Sequence, residues 1–286
     1  MKTDSLKIFK RSHMISSPSN EKVKRIVAYN AKNRLRKEDK VFIVEGIRMQ
    51  VEIPVELTLE TYVSESFLQK VSDKDMEYLR SLPLGYEEVT DQIFKKMSDT
   101  KTPQGILSLA RQAEYSDEDL LTPARNRDGS STGYAPLILI LEGIQDPGNL
   151  GTIFRSAEGA GVTGIYMSSD CADVYNSKVV RSTMGAIFRQ PFRYTDDLLG
   201  TINMLKDKGI VSYAAHLKGT KNYDELDFTK GAAFLIGNEG NGLSKEIADA
   251  ADEYLLIPML GQVESMNAAT SAALLGFEAA RQRRIG

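Results

Sequence analysis

Leu137-Ile138-Leu139-Ile140-Leu141-Glu142-Gly143-Ile144-Gln145-Asp146-Pro147-Gly148-Asn149-Leu150-Gly151-Thr152-Ile153-Phe154-Arg155-Ser156-Ala157 is the stretch whose reading decides the fold. Five apolar residues without polar alternation predict a strand buried on both faces, as in a parallel sheet. Pro147 then fixes φ and Gly148 permits a tight turn. Leu150, Ile153, Phe154 and Ala157 follow helical spacing. Asn149 falls where this helix should start, so its side chain either caps the helix or faces a ligand. Arg155 comes six residues later, about 1.7 turns, and an Arg near this end can clamp a phosphate. An ordinary strand-to-helix turn with a surface Arg explains the same residues equally well.

Two further loops share this setting. Ile236-Gly237-Asn238-Glu239-Gly240-Asn241-Gly242-Leu243-Ser244 follows the apolar run Ala232–Ile236. Its glycines let backbone N–H groups approach a ligand, or simply make turns before a helix entered at Ser244. The Lys-Ser/Thr pair of a phosphate-binding loop is missing, and Glu239 would repel phosphate. A cationic or polar ligand fits better, and a phosphotransferase does not. The third segment runs Ile257-Pro258-Met259, then Val263-Glu264-Ser265-Met266-Asn267-Ala268-Ala269. Ser265 and Asn267 either cap the last helix or offer polar groups at its N-terminus; Glu264 reads as solvated. Polar loops after buried strands gather chemistry at the carboxyl ends of α/β sheets, so three of them predict one composite site.

Outward from this core, Gly164–Met167, Ile210–Ala215 and Tyr254–Ile257 read as further strands. Leu198, Leu199, Ile202 and Leu205 mark a helix, and an Ala-rich helix from Asn267 to about Arg284 closes the chain. Repeated β–α alternation predicts a mostly parallel sheet with helices on both faces. Upstream, residues 1–18 read as a loose start. Ser19 is a candidate cap for a helix holding Val23, Ile26 and Val27, Val41–Val44 is a short strand, and Gly105–Ala110 is the last strand of a small α/β domain. The expected layout is a first domain at 1–112, a linker at 113–135 (acidic, then Gly/Ser-rich) and a second domain at 136–286.

Composition suits a globular protein: 286 residues, 42% hydrophobic and 26% charged. The single Cys171 excludes an internal disulfide, and with only two histidines, His13 and His216, no metal site is expected. No apolar run spans a membrane and no leader is apparent, so a cytoplasmic protein is expected. The net charge of −3 is uneven: residues 1–48 carry 13 Lys/Arg against 5 Asp/Glu. Lys22, Lys24, Arg25, Lys32, Arg34, Arg36 and Lys37 are therefore candidate contacts for RNA phosphates, or merely a solvated basic face.

The three loops together resemble the signature of the SpoU (TrmH-like) family of RNA ribose 2′-O-methyltransferases in the SPOUT superfamily, over residues 137–284. Val44-Glu45-Gly46 and Thr102-Pro103-Gln104-Gly105 resemble more weakly the ribosomal-protein-like RNA-binding domain that often precedes it. The resemblance implies a C-terminal trefoil knot, an exception to ordinary topology rules, with S-adenosylmethionine bound in it near Leu217, Gly237, Ile257 and Met266. Met266 replaces a common Leu, a volume-conserving change. It implies a homodimer whose site draws on both chains, and catalytic positions at Asn149, Arg155, Glu239, Ser265 and Asn267. Arg155 would bind the adjacent phosphate and the 2′-OH rather than act as base. Glu239 would pair with Arg155 or orient Asn149, and Ser265 and Asn267 would hold the ribose or the loop. The implied substrate is large-subunit ribosomal RNA; a transfer RNA, a base rather than a ribose, or a non-catalytic rRNA-binding role are the alternatives.

Overall fold

The computed structural model describes residues 14–126 and 128–285; most of the segment read as a loose start lies outside them. The chain divides into two compact units, Met1–Gln112 and Ala113–Gly286.

In the first unit, β1 (Val41–Glu45), β2 (Thr58–Ser64), β3 (Glu87–Val89) and β4 (Ile106–Arg111) form one sheet in the order β1-β4-β2-β3. β4 runs antiparallel to β1 and β2, while β3 is parallel to β2. The carboxyl ends of β1, β2 and β3 therefore share one edge of the sheet. The helix Glu21–Ala31 buries Val23 and Ile26 completely in a core with Ile43, Tyr62 and Leu107. Its cap is Asn20, which accepts from the Lys22 N–H at 2.9 Å, and not Ser19. One residue decides this, because the acceptor must lie next to the first orphaned N–H groups.

The second unit is a seven-stranded sheet of β5 (Leu137–Leu141), β6 (Gly164–Ser168), β7 (Phe192–Thr195), β8 (Val211–Ala215), β9 (Lys221–Asn222), β10 (Ala232–Ile236) and β11 (Glu253–Leu256). The order is β7-β6-β5-β10-β8-β11-β9 and every pairing is parallel. The unbroken apolar runs of β5 and β10 are buried along their whole length, as central strands covered on both sides require. One face packs Ile138, Ile140, Ala233 and Leu235 against Ile202, Leu205 and Ile247. The final helix, Ala268–Ile285, lies back on the helix Pro147–Ala160 and on β5 and β10. Its buried Arg283 donates to the carbonyls of Phe228, Ala135, Pro136 and Lys230 at 2.7–3.2 Å. Burial pushes that guanidinium's pKa down.

Part of the expected linker belongs to this core. Asp117–Leu121 is a helix with a Ser116–Asp119 capping box, and Leu120 is fully buried against Gly164, where an added Cβ would lie 2.4 Å from its own. The acidic residues that suggested a linker are the first-turn charges a helix N-terminus favours.

Candidate active site

β5, β10 and β11 run parallel, so the loops that follow them open at the same end of the sheet. After β5, Asp146 caps the helix Pro147–Ala160, its Oδ1 accepting from the Asn149 N–H at 2.8 Å. Asn149 is thus the third residue of the helix rather than its cap, and its amide is released for other work. That amide joins all three loops. Asn267 Nδ2 donates to Asn149 Oδ1 at 2.9 Å, and Asn149 Nδ2 donates to Glu239 Oε1 at 3.0 Å. The Asp146 and Gln145 N–H groups also donate to Glu239, at 3.3 and 3.4 Å. Burial would raise the Glu239 pKa, but the Asn149 amide and these backbone donors outweigh it and hold the carboxyl below its usual range. Asn267 turns its other end to the final helix, Oδ1 accepting from Ala269 and Thr270 at 2.9 and 3.3 Å. One side chain thus caps the final helix with its oxygen and reaches Asn149 with its nitrogen.

Gly237 serves packing as well as exposure. A Cβ there would lie 2.1 Å from backbone atoms of Gly242 and Leu243, because the loop folds back through paired Asn238–Gly242 hydrogen bonds of 3.0 and 2.9 Å. Asn238 Nδ2 anchors the turn on the Gly143 carbonyl at 2.7 Å. A pocket of about 190 Å³ opens beside it. Leu217, Gly237, Ile257 and Met266 all line it, as do Glu239 and Ser265. His216 and Glu264 line it too, and sequence reasoning gave neither a role there. The position of His216 just after β8 was the available signal. Its ring lies 5.0 Å from Tyr254, and its Nδ1 accepts from the Lys218 N–H. Carboxylates but no lysine or arginine face the pocket, an electrostatic character that suits a cationic ligand.

Arg155 stands apart. It is exposed, does not line the pocket, and makes no hydrogen bond or ion pair among the described residues. Of the two expected partners of Glu239, it hydrogen-bonds Asn149 and not Arg155. Six residues of helix place Asn149 and Arg155 on different faces.

The basic N-terminal candidates are mostly committed to intramolecular partners. Lys22 pairs with Glu87, Lys24 with Glu21 at 3.0 Å, Arg25 with Glu60 at 2.5 Å and Arg34 with Glu38 at 2.7 Å. Arg36 is buried, donating to the Tyr29 carbonyl at 2.5 Å, and belongs to the fold rather than to a surface for phosphates. Lys32 and Lys37 alone of the seven are exposed with no ion pair among the described residues. Counting cations along the sequence missed acidic partners up to 65 residues away.

A parallel α/β unit with a three-loop pocket, joined to a smaller sheet-and-helix unit, is the class this architecture defines. Residues 136–277 match the model of the SpoU rRNA methylase family, and residues 20–108 match an MRM3-like substrate binding domain. A putative TrmH family tRNA/rRNA methyltransferase of Staphylococcus aureus is 35% identical over 181 residues, covering 63% of this chain and 71% of that protein. The 23S rRNA (guanosine(2553)-2′-O)-methyltransferase RlmP of Bacillus subtilis is 29% identical over 266 residues, 92% of this chain and 97% of the relative. Among solved structures, the SpoU methyltransferase AviRb from Streptomyces viridochromogenes superposes with a TM-score of 0.79 at 25% identity, covering 93% and 99% of the two chains. The AdoMet-bound rRNA methyltransferase from Sinorhizobium meliloti gives 0.77 at 26% identity, over 94% and 97%. The chain belongs to the SpoU (TrmH) family of RNA methyltransferases.

Proposed function

We propose that this protein transfers a methyl group from S-adenosylmethionine to a ribose 2′-OH of large-subunit ribosomal RNA. The observation that carries this reading is the row Asn267–Asn149–Glu239, which locks three loops together at the pocket. RlmP, similar over nearly the whole chain, is named for that reaction, and the Sinorhizobium neighbour for binding the same cofactor.

The pocket fits a sulfonium cofactor in charge, through Glu239 and Glu264 and the absence of lining cations. Leu217, Gly237, Ile257 and Met266 would hold it, chiefly through their backbone. The cofactor supplies the electrophilic methyl carbon. The protein's own task is then to place a weak nucleophile, and orientation carries much of such a rate. Asn149, fixed at both ends of its amide, orients the ribose, with Ser265 and Asn267 beside it. Arg155 binds the adjacent phosphate through its unshared guanidinium. It does not serve as base, because it stays protonated.

We place Arg155 in the site of a second copy. It lies off its own pocket, and the paired helices Pro147–Ala160 and Ala268–Ile285 expose Phe277 to 50% beside Gly159, an apolar side chain that a homodimer contact would cover. The same reading includes the C-terminal knot that the family resemblance implies. A cytoplasmic location agrees with a ribosomal substrate, and among the described residues no helix is long and apolar enough to cross a membrane.

The test is incubation with labelled S-adenosylmethionine and RNA from cells lacking the protein, followed by nucleoside analysis. A labelled 2′-O-methylnucleoside in 23S-sized RNA is expected. Label on a base overturns the ribose assignment, label in small RNA makes the substrate a transfer RNA, and binding without label makes the protein a binding factor.

A further inference from the structure

The carboxyl ends of β1, β2 and β3 carry a construction that the methyl-transfer site does not use. Glu45, at the end of β1 and nearly buried, accepts from Ser98 Oγ at 2.7 Å and Thr100 Oγ1 at 2.8 Å. This fixes the start of the 98–105 loop. The loop then presses on two glycines. Gly46, at φ +96°, leaves room for Gln104, whose Oε1 would lie 2.8 Å from an added Cβ. Gly105, at φ +87°, fits against Ser64 and Phe67, each 2.7 Å from such an atom. Both conformations are strained for any other residue. Ser64 N–H donates to the Gly105 carbonyl at 2.8 Å, closing the edge.

The result is a groove of about 520 Å³ lined by Ser64, Phe67, Lys70, Lys95, Gln104 and their neighbours. Its carboxylates accept from serines, Asp91 from Ser66 N–H and Oγ at 3.1 and 2.7 Å and Asp75 from Ser72 Oγ at 2.8 Å. Those bonds to Ser66, with a smaller contribution from the Lys70 charge, hold the Asp91 carboxyl below its usual range. Lys70 and Lys95 are exposed and make no hydrogen bond or ion pair among the described residues, and neither does the Gln104 amide. This is the reverse of the basic helix Glu21–Ala31, whose Lys22, Lys24 and Arg25 all hold carboxylates.

We propose that this groove is where the first unit grips its RNA. Lys70 and Lys95 hold backbone phosphates, and Gln104, a combined donor and acceptor, meets a base edge or 2′-OH of an unpaired nucleotide beside Phe67. Single-stranded RNA is recognised in this way, by stacking and by hydrogen bonds to exposed edges. The proposal rests on the RNA-methyltransferase reading and names the substrate contact within it.

The experiment measures binding of the full-length protein to 23S rRNA fragments across a salt series. Lys70→Ala/Lys95→Ala is expected to weaken affinity by roughly tenfold and to make the salt dependence shallower by about one to two in log–log slope. Gln104→Ala should weaken binding with the slope unchanged. S-adenosylmethionine affinity and thermal midpoint should stay at wild-type values. A double variant with wild-type affinity and slope overturns the groove, whatever the enzyme methylates. Wild-type protein that neither binds nor methylates RNA instead overturns the functional reading. Should the variants misfold, photocrosslinking of wild-type protein to 4-thiouridine RNA decides: adducts on peptides holding Phe67 or Gln104 support the groove, and adducts confined to residues 21–40 refute it.

Discussion

Glu239 shows how one side chain acquires a role from its partners. It sits in a Gly-rich loop, where its charge argues only against phosphate. Fixed by the Asn149 amide and two backbone donors, it becomes the terminus that orients Asn149. Its folded pKa is depressed, so the stabilisation it lends the loops is present above an unfolded value of about 4.3. That stabilisation is lost as pH falls through the lower folded value. Affinity for S-adenosylhomocysteine, followed by calorimetry from pH 7 to pH 3, should hold level above the ordinary glutamate pKa of about 4.3 and fall below it. A decline centred near pH 6 would assign the effect to another group. Glu239→Gln should remove this acid limb and lower turnover by about a hundredfold, the order seen when one positioned polar group is lost. The presence of Asn149 and Glu239 was legible in the sequence, and their meeting was one of the two alternatives the family resemblance left open. The sequence could not choose between Asn149 and Arg155 as the partner, because 90 residues separate Glu239 from Asn149.

Among elements, strands and helices of the second unit were the most legible. β5 and β10 fall where their apolar runs predict, because a strand buried on both faces admits little else. β7 and the helix Ser177–Thr183 were not anticipated: Phe192–Thr195 alternates weakly at a sheet edge, and seven residues make too short a helical period. The segment 113–135 misled because polar composition was taken as looseness. Leu120→Ala should cost about 2–5 kcal/mol in urea unfolding; a loss under 0.5 kcal/mol would mean that the segment is a linker after all. The Gly237 loop has the opposite character, polar outside and tightly closed within. Gly237→Ala should displace the Gly242–Leu243 backbone and weaken cofactor binding at least tenfold, at a stability cost of about 1–3 kcal/mol. Unchanged cofactor affinity would mean that the loop closure does not shape the pocket.

For the whole molecule, Arg155 is exposed and does not line the pocket of its own unit, which motivates a test of its proposed place in a second copy. With Arg155 supplied by a second copy, Arg155→Ala and Glu239→Gln would each be nearly inactive yet complement one another. Mixed and refolded at equal amounts, they should regain up to a quarter of wild-type turnover, from heterodimers with one intact site. No recovery in a verified heterodimer would place Arg155 in its own subunit's site. Phe277→Glu, which puts a charge on the exposed apolar position, should shift the protein towards monomer in light scattering.

What the sequence by itself determined is what residue type and short-range period control: a parallel α/β unit, polar loops after its strands, and the family motifs those loops carry. The tertiary structure alone decided which of those residues meet. It set Asp146 rather than Asn149 as cap, joined Asn267, Asn149 and Glu239 across three loops, and separated Arg155 from the pocket. It also gave most of the basic N-terminal block intramolecular partners, while Lys70 and Lys95 form no direct ion pair among the described residues. The reason is range: helix and strand preferences act over a few residues, whereas ion pairs and loop-to-loop hydrogen bonds depend on distances in space that only the folded chain defines.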